Sequence, residues 1–468
     1  MAKKPKIKAP SGRALKTQRK KLLIFLTFLT LAKVFWLWNQ PKHIIFSADT
    51  ENYFNALEGL VTDGLFSKAT NLHYWPAGYP ILMWPIAELS RNYFPFIIGV
   101  IQSALFSYSL FYFSTQLQKT TLNKLFWPVV LIISLNPTLA LNAPAIGYEV
   151  NVATCFLIAL GAFLKFSIRS EKKLKHHEIW LAAASLSLAT FMQPRISLLA
   201  FAFFCIWALA TFKRSIAVVM VLSTSLVVAL GPLLMIGRNV AANNFVAIST
   251  NLGTTMNIGA GPQSTGGYTN KATGVPCSNI SGNSARQDSH KVRCVLSWYR
   301  DNPKQAVSLF IHKFQYHWSP WFGPLANGTT ARSPWLRLHP LNSSVQTQEG
   351  VNIVYGNVGK LISWGWIISS LGLMFYGFWA FWRLGGVAQV LSTLLFIPSM
   401  LNALSSMLTI GDNRFRIPTM TLSLILQLFG GYALLASRRM NKWTQMKQET
   451  TWVGLNWKKN SEKDSLRA

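Results

Sequence analysis

Apolar residues along the chain gather in long runs separated by short polar breaks, at about 22–38, 95–117, 125–142, 147–167, 178–192, 197–212, 215–236, 357–382, 387–409 and 417–436. A helix rises about 1.5 Å per residue and the hydrocarbon core of a bilayer is about 30 Å thick, so runs of this length are the pattern of membrane-crossing helices. The pattern predicts an all-α polytopic membrane protein with about ten transmembrane helices. The first run carries a single charge, Lys33, and is longer than a signal-peptide core. The small-residue pair Ser47-Ala48 lies too far downstream to be its cleavage site. A retained first helix is expected.

Two intervals between the runs are too long to be turns, 39–94 and 237–356. The first mixes aromatic, apolar and polar residues, with a helix-compatible stretch through Tyr53, Phe54, Leu57, Leu60 and Val61, then Tyr74-Trp75-Pro76-Ala77-Gly78-Tyr79-Pro80. That mixture suits short helices lying along the membrane interface. The second interval falls between the seventh and eighth runs. It is rich in Gly, Ser and Asn over 251–285 and turns apolar and aromatic over 292–321, as expected of an ordered flap with a mobile portion. The chain therefore divides into a basic tail (1–21), an N-terminal membrane module (22–236) containing the first long loop, a large loop (237–356), a C-terminal membrane module (357–436) and a second basic tail (437–468).

Charge changes this picture by giving it a direction. Only 13% of residues are charged, about half the share of a soluble domain, yet the net charge is +30. Nine Lys/Arg lie between Lys3 and Lys21 and eight more between Arg438 and Arg467. Basic tails flanking apolar spans imply cytoplasmic anchoring beside anionic lipid, not nucleic-acid binding. Threading ten spans alternately from a cytoplasmic N-terminus puts 118–124, 168–177, 213–214 and 383–386 on the inner side, and every one of these loops is basic. The positive-inside rule is met throughout. The expectation is a bacterial inner (plasma) membrane protein with both termini cytoplasmic and both long intervals outside.

The cysteines separate in the same way. Cys155 and Cys205 lie inside apolar runs as small packing residues. Cys277 and Cys294 lie in the large outer loop, either as a disulfide or as two free thiols.

With only fifteen carboxylates in the chain, their positions carry information. Asp49 and Glu51 stand two apart just beyond the first span. That spacing diverges on a helix, but on a turning segment both can face one pocket. Acidic residues at the membrane are costly and mark function. Equally, Ser47, Asp49 or Thr50 suits the N-cap of the helix that follows, and spacing leaves both readings open. The alternation brings further polar residues to the same outer side. These are Glu149 beside Tyr148, the turn Gln193-Pro194-Arg195, the pair Arg238-Asn239, Lys313 and His317, and the run Asp412-Asn413-Arg414-Phe415-Arg416. Taken singly, each fits an interfacial side chain or a satisfied helix end. Together they offer charge-assisted donors for a phosphate and a carboxylate base.

Four blocks carry a resemblance. They are Asp49-Thr50-Glu51-Asn52-Tyr53 running to Trp75-Pro76-Ala77-Gly78-Tyr79-Pro80; Arg238-Asn239 with Phe245 to Asn251, Asn257-Ile258-Gly259 and Thr265-Gly266-Gly267-Tyr268; Asn302-Pro303 with Lys313 and Trp318; and Asp412-Asn413-Arg414-Phe415-Arg416-Ile417-Pro418. The combination resembles the GT-C-type membrane glycosyltransferases, in the bacterial branch related to protein O-mannosyltransferases and the lipid A aminoarabinose transferase. It departs from the latter where Tyr74-Trp75 stands in place of a Lys before the first proline, and where Ala77 replaces the second. The identity of the sugar therefore stays open.

The resemblance implies inverting transfer of a sugar from a polyprenyl-phosphate donor to a hydroxyl of a lipid, glycan or protein acceptor at the outer face. It makes Asp49 the base, with Glu51 as second choice, and assigns the donor phosphate to Arg238 and Lys313, with Arg414 and Arg416 after them. Tyr53, Trp75, Tyr79, Glu149, Arg195 and Asp412 are further site candidates. A divalent cation, Mg or Mn, shared by Asp49, Glu51 and the phosphate is compatible with this chemistry, though no cofactor is required by it. Trp75, Trp318 and Trp321 suit sugar stacking as well as interfacial anchoring. The competing classes are a lipid-linked sugar flippase or transporter, which would place polar groups near the bilayer midplane, and an outer-face glycan ligase or polymerase of another family.

Overall fold

The computed structural model describes residues 12–47, 49–267, 274–319 and 356–437. Tyr268, Trp321 and the outer parts of both basic tails lie outside these residues. The described chain is helical, and its only strand-like pairings are two isolated bridges, Phe46 with Ile146 and Gly267 with Gly411.

The helices follow the apolar runs closely. In chain order they are α1 (Gly12–Trp38), α2 (Thr50–Asp63), α3 (Asn71–Tyr74), α4 (Gly78–Leu89), α5 (Phe94–Leu117), α6 (Phe126–Ser134), α7 (Pro137–Asn142), α8 (Glu149–Ser167), α9 (His177–Met192), α10 (Ser197–Thr211), α11 (Arg214–Asn243), α12 (Leu252–Ile258), α13 (Ser284–Asp301), α14 (Pro303–Trp318), α15 (Gly356–Leu384), α16 (Gly386–Leu408) and α17 (Ile417–Ser437). Eight helices among the described residues are long and apolar enough to cross a bilayer. The architecture is that of a polytopic membrane protein.

Two of the ten expected spans fall short, each for a local reason. The run at 125–142 is broken after Leu135, where Asn136 caps a new helix by accepting the Leu139 N–H at 3.1 Å and Pro137 occupies its first turn. The run at 178–192 forms α9, which has only 16 residues. It is nonetheless packed into the bundle by one face, with Trp180, Leu181 and Leu188 exposed on the other. Ser185 donates to the Cys155 carbonyl of α8 at 3.0 Å and Thr190 to the Val228 carbonyl of α11 at 2.7 Å. On the far side of the bundle, α15 and α17 approach so closely that a Cβ at Gly430 would stand 2.1 Å from the Leu373 carbonyl oxygen. Phe381 and Phe429 stack beside this contact at 3.9 Å.

The helix hairpin α8–α9 shows how charge is sorted. At its connecting end the buried Glu178 takes Arg169 at 2.7 Å and Lys165 at 3.4 Å. There Lys172 donates to the carbonyls of Phe166, Ser167 and Arg169, satisfying the C-terminus of α8. Glu149 begins the same helix at its other end; α8 has 19 residues, a length of about 28 Å at 1.5 Å per residue. The basic loops and the acidic candidates therefore occupy opposite ends of the bundle.

Candidate active site

The acidic end is organised by a short docking of the first outer segment onto the turn before α8. Phe46 bridges Ile146, and the Ile146 N–H donates to the Ile45 carbonyl at 3.1 Å. The hydroxyls of Ser47 and Thr50 both donate back to the Ile146 carbonyl, Thr50 at 2.9 Å. A glycine at 147 leaves the Glu149 carboxylate and the Ser47 hydroxyl where they stand, because a Cβ there would lie 2.6 Å from Glu149 Oε2 and 2.9 Å from Ser47 Oγ and would displace them. Ile45, Phe46, Ser47 and Thr50 are thereby laid against the start of α8, and Asp49 is brought to the same place as Glu149.

Asp49 occupies the N-cap position of α2, yet its carboxylate makes no capping bond. Its Oδ2 instead faces Arg414 Nη1 at 3.1 Å, and Arg414 Nε lies 3.7 Å from Glu149 Oε1. A capping role would have spent the carboxylate on the α2 backbone. Here it pairs instead with an arginine from the far end of the chain, so the side chain of Asp49 is not the cap of α2.

Asp49, Tyr53, Trp75, Pro76, Tyr148, Arg195, Arg414 and Phe415 line a partly open cavity of about 440 Å³, together with residues of the large loop, among them Ser249, Asn251, Leu252, Thr255 and Asp288. The volume is that of a small-molecule pocket. Tyr53 is buried against α4, its ring edge-on to Tyr79 at 4.9 Å. Burial, then the nearby carboxylates of Asp49 and Glu149, push its phenol well above the ordinary tyrosine value. Arg195 stacks on Phe415 at 4.2 Å. Its Nε and Nη2 are buried and find no hydrogen-bond partner among the described residues. A guanidinium with idle donors beside a cavity is a ready anion ligand.

The roof is held as one piece. Asp288 on α13 accepts the Gly253 N–H at the start of α12 at 2.7 Å. Met256, Val275, Val295, Tyr299 and Ala306 form a small core beneath. Cys277 and Cys294 are joined in a disulfide, so the loop cysteines are not two free thiols.

The other expected ligands lie elsewhere. Arg238 is buried and committed to protein acceptors, namely the carbonyls of Leu65 (3.1 Å), Leu72 (3.0 Å) and Ser67 and the Asn239 side chain (2.8 Å). Lys313 is fully buried and donates to the Tyr299 hydroxyl and the Thr409 carbonyl, each at 2.7 Å. Burial lowers its ammonium to about 7. Arg416 donates to the Trp318 carbonyl at 2.8 Å, and Trp318 is itself buried beneath it. Asp412 accepts the Arg414 N–H at 2.9 Å and so shapes the turn Asn413–Arg416. Tyr79 is buried, with its hydroxyl on Gln102. Glu51 is exposed on α2 and does not line the cavity. The acidic partner of Asp49 is therefore Glu149 and not Glu51. The described residues contain no cluster of three or more His, Cys, Asp or Glu placed to hold a metal ion.

Comparison with known proteins identifies no family: no family model matches the chain, and no curated protein or solved structure matches it. The site must be read from its own chemistry. Two of its parts had little or no signal in the sequence. Asp288 sits in a largely basic helix, and its backbone partner lies 35 residues earlier. The idle donors of Arg195 follow from what surrounds it and not from its Gln-Pro-Arg turn.

Proposed function

We propose that the chain is a membrane glycosyltransferase that moves a sugar from a polyprenyl-phosphate donor to an acceptor hydroxyl. The observation that carries this reading is one cavity combining a carboxylate, Asp49, with an arginine, Arg195, whose donors are idle, at the end of the bundle opposite its basic loops. A transferase needs those two functions within one donor's length. The acceptor hydroxyl loses its proton to Asp49 as its oxygen attacks the anomeric carbon, forming the new glycosidic bond. The bond from that carbon to the phosphate oxygen breaks, and the phosphate leaves with the electron pair. Arg195 stabilises the charge that gathers there. The roof of α12 and α13 restricts the access of water, which limits hydrolysis of the activated sugar. Trp75 offers an aromatic face in the same cavity.

In this reading the chain sits in a bacterial inner membrane with its basic tails cytoplasmic. The expected crossings include α9 and the broken pair α6–α7, and the cavity opens to the outer face. The similarity of its four sequence blocks to GT-C-type transferases supports the same assignment. A divalent cation is not required by this chemistry.

The test is to supply purified protein in lipid vesicles with a radiolabelled polyprenyl-phosphate sugar and a lipid, glycan or peptide acceptor. Label on the acceptor with free polyprenyl phosphate released supports the proposal. Intact donor relocated across the bilayer would instead make the protein a flippase.

A further inference from the structure

Arg414 does not fit the phosphate role that its family-like motif suggests. Its guanidinium lies between two carboxylates from distant parts of the chain, Asp49 Oδ2 at 3.1 Å and Glu149 Oε1 at 3.7 Å, and only 14% of its side chain is exposed. Its backbone N–H is pinned by Asp412 at 2.9 Å. Its side chain lies over the Phe415 ring, 5.1 Å from the centroid. Its positive charge is directed at those two carboxylates, which leaves less of it for an approaching phosphate. Arg195, in the same cavity, differs in degree: two of its buried nitrogens, Nε and Nη2, have no hydrogen-bond partner among the described residues, whereas only Nε of Arg414 lacks one, and Arg414 alone of the two stands within ion-pair distance of Asp49. The two arginines therefore divide the work.

We propose that Arg414 is a positioning residue: it bridges Asp49 and Glu149, holding the two carboxylates in one geometry, and does not contact the donor phosphate. The inference rests on reading the cavity as a transferase site. Two carboxylates in a largely buried space repel, and without a cation between them Asp49 would turn away from the cavity or share a proton with Glu149. A planar guanidinium offers several donors in one plane and can meet both at once, whereas an ammonium is a single point charge. Asp412 and Phe415 fix where that plane lies. Tyr53, Tyr148 and Arg195 also line this end of the cavity, and the Asp412 carboxylate lies near enough to Arg414 to act on it.

The decisive experiment pairs kinetics with stability. Arg414→Gln lowers kcat about 100-fold, the cost of misplacing a reacting group by about 1 Å, while the donor KM stays within about threefold because uniform donor binding is untouched. Arg414→Lys recovers part of the lost kcat. A donor KM raised tenfold or more with kcat retained would overturn the proposal and make Arg414 a donor ligand. Thermal unfolding of Arg414→Gln, Glu149→Gln and the double variant needs no substrate. The bridge predicts strong non-additivity, with Glu149→Gln relieving much of the damage of Arg414→Gln. Strictly additive losses would sink the bridge. Non-additive unfolding in a protein that turns over no sugar donor would retain the bridge and reject the transferase reading instead.

Discussion

Replacing Arg238 by Leu should unfold the entrance of the site before it affects donor recognition. The side chain leaves α11 and makes four hydrogen bonds, two of them to the carbonyls of Leu65 and Ser67 in the connection between α2 and α3 and one to the carbonyl of Leu72 in α3. That connection leads directly into Trp75 and Pro76, which line the cavity. A hydrogen bond to a charged group contributes about 1.5–3 kcal/mol, and a buried acceptor left without a donor costs about 1–3 kcal/mol. Simple addition overshoots, because burying the guanidinium is itself costly. Removing one partner of a buried charged network costs about 3–5 kcal/mol net, and that is the expected loss here. The assay is unfolding of the purified protein in detergent, followed by limited proteolysis, with new cleavage expected between α2 and α3. Donor KM should change much less than stability. A variant as stable as the parent, with donor KM raised tenfold, would refute this reasoning and return Arg238 to the phosphate.

Three further outcomes follow from other parts of the site. Arg195→Gln should raise the donor KM by tenfold or more, since a charge-assisted bond is worth about 1.5–3 kcal/mol; an unchanged KM would leave the phosphate without its proposed ligand. Lys313 binds its proton less tightly in the folded chain, at about 7, than the ordinary 10.5 of an unfolded lysine. The unfolded state therefore holds the extra proton between those values. Stability should rise with pH across that window, with the burial penalty complete below it, and Lys313→Met should flatten the rise; an identical pH profile in the variant would contradict the burial argument. Replacing both Cys277 and Cys294 by Ser opens a loop whose ends are 17 residues apart and should cost about 3 kcal/mol. Thiol labelling of the untreated parent should find neither cysteine free, and quantitative labelling of both would deny the bond.

The helices were largely legible in the sequence because a bilayer demands long apolar runs, and the runs can be read one residue at a time. The exceptions are instructive. Asn136-Pro137 is a helix start within an apolar stretch, and its local capping chemistry outweighed the hydropathy around it. The acidic end of the bundle was legible as a side but not as a set of partners. Asp49 comes near Glu149 because Ser47 and Thr50 dock onto the Ile146 turn, a contact about a hundred residues distant beside which Gly147 leaves room for the Glu149 carboxylate. Arg238 and Lys313 were misleading for a physical reason. Their acceptors are mostly backbone carbonyls, which leave no trace in residue identity. Arg195, set in an unremarkable turn, emerged because the fold left its donors idle beside the cavity.

The account stands on Asp49 as the base, and the most direct measurement compares three purified proteins in one donor-conversion assay: the parent, Asp49→Asn and Glu51→Gln. Each is scored by sugar transferred and polyprenyl phosphate released. General base catalysis contributes about 10²–10⁴-fold, so Asp49→Asn should lose at least a hundredfold in kcat, while Glu51→Gln, altered outside the cavity, stays within a few-fold of the parent. Full turnover by folded Asp49→Asn, or loss confined to Glu51→Gln, would contradict the central claim.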